Sequence, residues 1–510
     1  MQFIWFDILF FIITTVIIIV FAIYLSRKEE SGEDYFLAGR SLNWPLIGFS
    51  LIATNISTEH FVGMSGASFG NMGLAVASYE WIAAITLVFV ALFLLPHFLK
   101  AGVYTIPEFL EYRYSPNTRL LMSIYMTIMY VCVAIASVLY SGGIAMKTIF
   151  GFDLTACVWA ICILSGIYTI FGGLKAVVWA DLLQGSGLLL GGLVVMIIGF
   201  VAVGGPANFF AQNAEKLHMV MPIDHPEIPW TALLLGIWIP NLFYWGLNQF
   251  IVQRTLAAKS VIEGQKGILL AAFIKITIPF IIVMPGIMAY QLFKDQNLPM
   301  DQAYPTLVRT LLPAGCRGIM LAALFGAVMS TLAALLNSAS SIFTMDLYKR
   351  HLRKNASPKE IVTVGRITTT IFMLLGCIIA PFLASPKFGG IFKYIQMFQG
   401  FISPGIVTVF VFGLIVKKAP PSAAITAMLL NIVVYGVLRL LIPQAAFLNH
   451  MAITFIVLII VMAIITAIKP LKEPYVLPVR TDINLESNNS IKIVGGIVIA
   501  ICVILYIIFW

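Results

Sequence analysis

Four ionisable side chains in this sequence sit where charge is expensive. Glu59 and Glu80 are the two of its 22 acidic residues that lie well inside long apolar stretches; Asp181 lies near the start of another, and Lys275 is deep in a fourth. A charge at a bilayer centre costs ~2.5–3.5 kcal/mol on insertion scales, so such residues face a bundle interior and find partners. Asn241, Tyr244 and Asn248 fall at i, i+3 and i+7, on one helical face, with Trp245 and Gln249 adjoining. Aromatic rings against an apolar sugar face, with amides, Glu and Lys on the hydroxyls, make a site for a neutral sugar. No Arg lies in an apolar stretch near these residues to clamp a carboxylate bidentately, which weighs against anionic solutes. Ser330-Thr331, beside Ala327-Val328-Met329, can give two hydroxyl oxygens to a hard cation, with carbonyls of an unwound helix completing the shell. The alternative is that both hydroxyls bond their own i−4 carbonyls. Glu59-His60 are neighbours on a helix, so they point apart and make a poor acid–base pair; nothing else resembles an enzyme's nucleophile or metal constellation.

The elements that must position these groups are membrane helices. The chain has 510 residues, 60% hydrophobic and 10% charged, with mean hydropathy +0.99, where soluble domains run near ~25% charged. A soluble fold and a single anchor are both excluded, and no alternating ~10-residue barrel strands occur. Fourteen helices are expected, at 4–25, 45–70, 74–97, 119–149, 154–172, 178–204, 229–253, 264–292, 316–347, 359–386, 390–416, 421–441, 449–469 and 489–509. The first is expected to be retained, because it lacks a basic n-region and a cleavage site. The net charge of +9 comes from short loops rather than one basic face, which argues against nucleic acid. Placing both termini outside puts roughly twenty basic residues inside, including Arg27, Lys28, Arg40, Lys100, Arg254, Lys349 and Arg350, and leaves about seven outside. The six cysteines show no CxxC spacing and lie almost all in apolar runs, as packing residues do.

Two of these helices break the apolar rule in matching ways. The second is interrupted by Thr54-Asn55-Ile56-Ser57-Thr58-Glu59-His60, and five helices later another carries Pro240-Asn241 and then Tyr244, Trp245, Asn248 and Gln249. That separation predicts a five-plus-five inverted repeat whose broken helices meet at a midplane substrate site. Polar residues cluster at mid-depth with apolar ends, unlike the continuous polar pore of a channel.

At Glu33-Asp34-Tyr35-Phe36-Leu37-Ala38-Gly39-Arg40-Ser41-Leu42, and again at Ala53-Thr54-Asn55-Ile56-Ser57-Thr58-Glu59, the sequence resembles the sodium:solute symporter family, in its sodium/glucose–galactose branch. Ala77-Ser78-Tyr79-Glu80-Trp81, Tyr104-Thr105-Ile106-Pro107-Glu108-Phe109, Gly172-Gly173-Leu174, Ala176-Val177-Val178-Trp179, Gln253-Arg254-Thr255-Leu256-Ala257-Ala258-Lys259, Leu336-Asn337-Ser338 and Thr344-Met345-Asp346 extend the match over about residues 30–420. The resemblance implies an all-α leucine-transporter-type fold. An extra helix and loop (1–44) would precede two five-helix repeats (45–204 and 229–418) joined by an extracellular loop (205–228), with three further helices at 419–510. It implies a substrate site of Asn55, His60, Glu80, Asn241, Lys275 and Gln396, with Tyr244 as inner gate and Trp245 beside it. It further implies sodium held by carbonyls of Ala53, Ile56 and Ala327 and hydroxyls of Ser330 and Thr331, with Asp181 on the ion's exit path. Two positions depart from the family's bacterial galactose pattern: His60 stands in place of Gln, and Ala83 in place of a sugar-contacting Ser. The function expected is sodium-coupled import of a glucose- or galactose-type hexose across the cell membrane by alternating access. Myo-inositol or another polyol is the alternative, and no nucleic-acid or obligate protein partner is expected.

Overall fold

A computed structural model describes residues 5–6, 9–13, 16–17, 20, 40–385, 390–476 and 488–510; for 150 and 167–184 it describes the backbone alone. The described residues are helical, with only isolated bridges at Leu42–Ala258 and Met221–Pro229. Among them, ten helices are long and apolar enough to cross a bilayer, and Ile391–Gln399 with Ser403–Ile415, bent by 44°, form an eleventh. The rest of the expected fourteen are the 4–25 segment, mostly outside the described residues, the interrupted 45–70 segment, and 154–172, described with its side chains as Leu154–Gly166. One expectation is corrected. The backbone is helical throughout Leu154–Ala202, without the loop expected at 173–177. The Gly172-Gly173 pair costs only about 1 kcal/mol per glycine in a helix and does not by itself force a break.

The first interrupted helix begins at Trp44, where the Asn43 side chain accepts from Leu46 N and Pro45 occupies the first turn. It stops at Asn55 because Ile56 adopts extended backbone (φ −77°, ψ 93°). The Ser57 hydroxyl then accepts from Glu59 N at 3.2 Å, a local bond that competes with the helical one. A wide i→i+5 turn, Glu59–Met64, leads into Ser65–Phe69. The second interruption follows the same plan: Trp238–Leu242, a wide turn Phe243–Leu247, extended Asn248 (φ −91°, ψ 118°), then Gln249–Leu256. Within lipid every backbone polar group needs a partner, so both breaks must lie inside the bundle. Both do: Ala53 to Ser57 and Asn241 to Gln249 are buried apart from the half-buried Tyr244.

Helix Val261–Phe293 holds both arms of the first broken helix. A Cβ on Gly267 would meet the Ile47 side chain at 2.7 Å, and one on Gly286 would meet Ser68 Oγ at 2.0 Å and Ser65 O at 2.2 Å. Such close approach needs small residues, the usual device for helix association where lipid removes the hydrophobic drive. Helix Cys316–Ile342 is buried on nearly every side and packs most extensively against Leu154–Ala202. It is the central column of the molecule, and it carries Ser330 and Thr331.

Candidate functional site

The two breaks face a shared cavity of about 580 Å³, counting the space at its mouth. The first broken helix contributes Asn55, Glu59, His60 and Met64; the second contributes Pro240, Asn241, Tyr244 and Trp245. Tyr79 and Glu80 come from the helix Ser78–Phe89, and Phe392, Ile395, Gln396 and Gln399 from Ile391–Gln399. Glu59 and His60, both on the wide turn Glu59–Met64, line the cavity.

Glu80 organises the polar wall. It is ion-paired with fully buried Lys275, and His60 Nε2 lies 3.4 Å from its other oxygen. Lys275 itself does not line the cavity. Its ammonium stands behind Glu80, 5.0 Å from the centre of the Trp245 ring, where the ring face stabilises it. Burying two charges together is tolerable only when each is fully paired, and this pairing neutralises Glu80; Glu59 lines the cavity as a second acidic residue. The Asn55 amide donates to the Tyr244 hydroxyl at 2.9 Å, joining the two breaks directly. Tyr244 and Trp245 meet edge to face at 5.2 Å. Asn241 donates to Ile237 O and Gln399 to Pro240 O, which fixes both amides. Four polar atoms at this site have no partner: Asn55 Oδ1, His60 Nδ1, Tyr79 OH and Gln396 Oε1. Unmade hydrogen bonds of this kind cost about 1–3 kcal/mol each when buried.

At the first break, the Thr331 hydroxyl donates to Thr54 O at 3.0 Å, bringing helix Cys316–Ile342 against the freed end of Trp44–Asn55. Ala53, Ile56, Ala327, Ser330 and Thr331 are all buried there. The Asp181 side chain lies outside the described residues.

Asn248 is a second correction. Expected on the ligand face with Asn241 and Tyr244, it lies beyond the wide turn and does not line the cavity. Its carboxamide oxygen instead accepts from the Tyr130 hydroxyl, which in turn accepts from Phe250 N at 3.2 Å. Tyr130, Tyr79, Phe392 and Gln399 were not singled out from sequence. Gln399 could have been, since it repeats Gln396 at i+3 on one face. Ala83, the other departure, is buried and outside the cavity.

A bundle of apolar helices, two of them broken and facing one shared cavity, is the architecture of a membrane transporter. The chain belongs to the sodium:solute symporter family, whose profile matches residues 35–431. It is 38% identical to a sodium/glucose cotransporter of Vibrio parahaemolyticus, over 99% of this chain and 98% of that one. It is also 38% identical to the uncharacterized symporter YidK of Escherichia coli, over 97% and 89%, and 33% identical to the sodium/myo-inositol cotransporter 2 of Oryctolagus cuniculus, over 82% and 67%. Among solved structures, a substrate-bound, outward-open sodium-coupled sialic acid symporter superposes with TM-score 0.82, covering 92% of this chain and 99% of that one at 21% identity. The nucleobase-cation symporter Mhp1 shares the fold at TM-score 0.54 and 13% identity, over 88% and 98%. The protein is therefore a multi-pass, sodium-coupled solute symporter, not an enzyme.

Proposed function

We propose that this symporter imports a neutral hexose of the glucose or galactose type. The observation that carries the reading is the cavity wall: Glu80 neutralised by Lys275, beside Asn55, His60 and Gln396, each with an unpartnered buried polar atom, and the rings of Tyr79, Tyr244 and Phe392. Such a wall has hydrogen bonds and ring faces to offer a sugar, and no Lys or Arg lines it to attract an anion. Asn241 orients the far side, and Lys275 acts through Glu80. Tyr244, tied to Asn55, gates the inner side, with Trp245 behind it. Sodium is held by carbonyls of Ala53, Ile56 and Ala327 and hydroxyls of Ser330 and Thr331, and leaves past Asp181. The two repeats are residues 45–204 and 229–418, both termini lie outside, and the protein works in the cell membrane.

One sodium entering down ~100 mV and a tenfold gradient supplies about 2.3 plus about 1.4 kcal/mol. That suffices for roughly 500-fold accumulation of an uncharged solute. Uptake of labelled glucose, galactose, myo-inositol, proline and sialic acid into proteoliposomes, with and without a sodium gradient, tests the reading. Sodium-driven accumulation of a hexose is expected, with deoxyhexoses competing poorly, because a site built around hydroxyl bonds rejects analogues lacking them. Preference for the polyol would move the assignment to that class; preference for proline or sialic acid would overturn it.

A further inference from the structure

Helix Ile391–Gln399 roofs the cavity on the first broken helix's outer side, and it is held in place from a loop. Its residues Phe392, Ile395 and Gln396 line the solute site, and Phe392 packs edge to face on Tyr79 with ring centres 5.0 Å apart. It lies so close to the wide turn that a Cβ on Gly63 would meet Ile391 Cγ2 at 2.9 Å. The helix starts at Gly390, and its first N–H, on Ile391, donates to the Asp301 carboxylate at 3.3–3.4 Å. Asp301 sits in the short turn Met300–Gln302 between two membrane helices and also accepts from the Tyr140 hydroxyl at 3.3 Å.

We propose that Asp301 is a positioning residue for transport: it seats the roof helix over the solute cavity and takes up a proton from outside as the roof closes. The inference rests on the cavity being the solute site. As the helix stands here, Asp301 is half-buried in a crevice with Glu227, Lys393 and Asn71, and we take this as the closed arrangement. Burial raises its carboxyl, and the Ile391 N–H and Tyr140 hydroxyl only partly offset this, leaving it at about 6 against an ordinary 3.8. With the roof lifted, the carboxylate meets water and returns toward its ordinary value. The closed arrangement therefore binds the proton more tightly, and acid favours closure. The effect is negligible above pH 7, grows through pH 6 and levels off below pH 4. From pH 7.5 to 5.5 these values shift the closed-to-open ratio about fourfold.

Other charged and titrating groups surround this point. Glu227 and Lys393 pair with each other at 3.2 Å, and His225 lies 3.3 Å from Asn71 O. Lys147 and Arg309 are on the two helices packed beside the turn, and Glu59 and His60 on the wide turn beneath face the solute cavity. The test isolates Asp301 from all of these. In intact cells, Ile395→Cys is introduced with Cys132 and Cys316 changed to Ser, and labelling by a membrane-impermeant thiol reagent is timed at external pH 7.5 and 5.5. Each rate is divided by that of the same protein carrying Asp301→Asn, which cancels the thiol's own titration. Asn keeps the acceptor for Ile391 N but cannot titrate. The expected ratio falls about fourfold on acidification; an unchanged ratio overturns the proposal. Tyr140→Phe removes a donor to the carboxylate and should move the acid midpoint upward. If Asp301→Asn fails to fold, that midpoint decides: movement supports the proposal, and an unmoved midpoint overturns it. Labelling needs no solute, so failure of the sugar assignment appears separately, as uptake unaffected by Gln396→Ala.

Discussion

The two broken helices are built on one plan and finished with opposite chemistry. At the first, the group left over is a carbonyl: Thr54 O, closed by the hydroxyl of Thr331 on helix Cys316–Ile342. At the second, it is an N–H: Phe250 N, closed by the hydroxyl of Tyr130 on the 116–150 segment. Each hydroxyl comes from the third helix of the opposite half, so the pattern respects the repeat. The polarity does not. A break that presents carbonyl oxygens can hold a cation, whereas one that presents N–H groups repels it. On the sodium site proposed above, one of two related interruptions takes the ion, and the other supports the cavity wall.

The largest disturbance should come from the pair that ties the second helices of the two halves together. Lys275→Met leaves the Glu80 carboxylate buried and uncompensated, a loss of about 3–5 kcal/mol, and folded yield in detergent should fall sharply. Adding Glu80→Gln should recover yield without recovering uptake. If the double variant transports normally, the pair is outside the solute site. Next in size is the carbonyl break. Thr331→Val removes one cation ligand and strands Thr54 O, at about 1–3 kcal/mol, so the sodium concentration for half-maximal uptake should rise ten- to hundredfold. Ser330→Ala should move it in the same direction, and unchanged sodium dependence in both would remove sodium from this break.

At the N–H break, Tyr130→Phe also strands a buried group, yet it should lower thermal stability and maximal rate while leaving sodium dependence where it was. A shift in sodium affinity there as large as that of Thr331→Val would erase the distinction between the breaks. The smallest effect is expected at His60, whose Nδ1 is free and whose Nε2 lies beside Glu80. His60→Gln keeps a donor and an acceptor but no titrating ring. Uptake should persist with altered ranking among hexoses and less inhibition by acid. Identical ranking and identical pH profile would make His60 a packing residue.

Much of this was legible in the sequence, because membrane burial punishes polar residues that lack a purpose. Thr54 to His60, Pro240-Asn241, Glu80 and Lys275 each stand out against apolar surroundings, and the structure gathers Asn55, Glu59, His60, Pro240, Asn241 and Glu80 around one cavity, with Lys275 directly behind Glu80. What failed was angular reasoning across a break. The i+7 spacing that put Asn248 on the face of Asn241 assumes 3.6 residues per turn, and the wide turn Phe243–Leu247 does not keep that period. Tyr130 and Asp301 were invisible for another reason: each acts on a backbone N–H of a distant helix, and a backbone N–H carries no sequence signature.

The contact at Gly286 has a mechanical consequence. With Ser68 and Ser65 seated where any side chain would stand, and Ile47 against Gly267 below, both arms of the first broken helix are clamped to a single neighbouring rod. The interruption at Asn55 to Thr58 therefore cannot work as a free elbow. Arms and rod must tilt together as one lever. Lengthening the side chain at position 286 by a single methyl group should loosen the outer arm from it, so that motion at one membrane face no longer reaches the other.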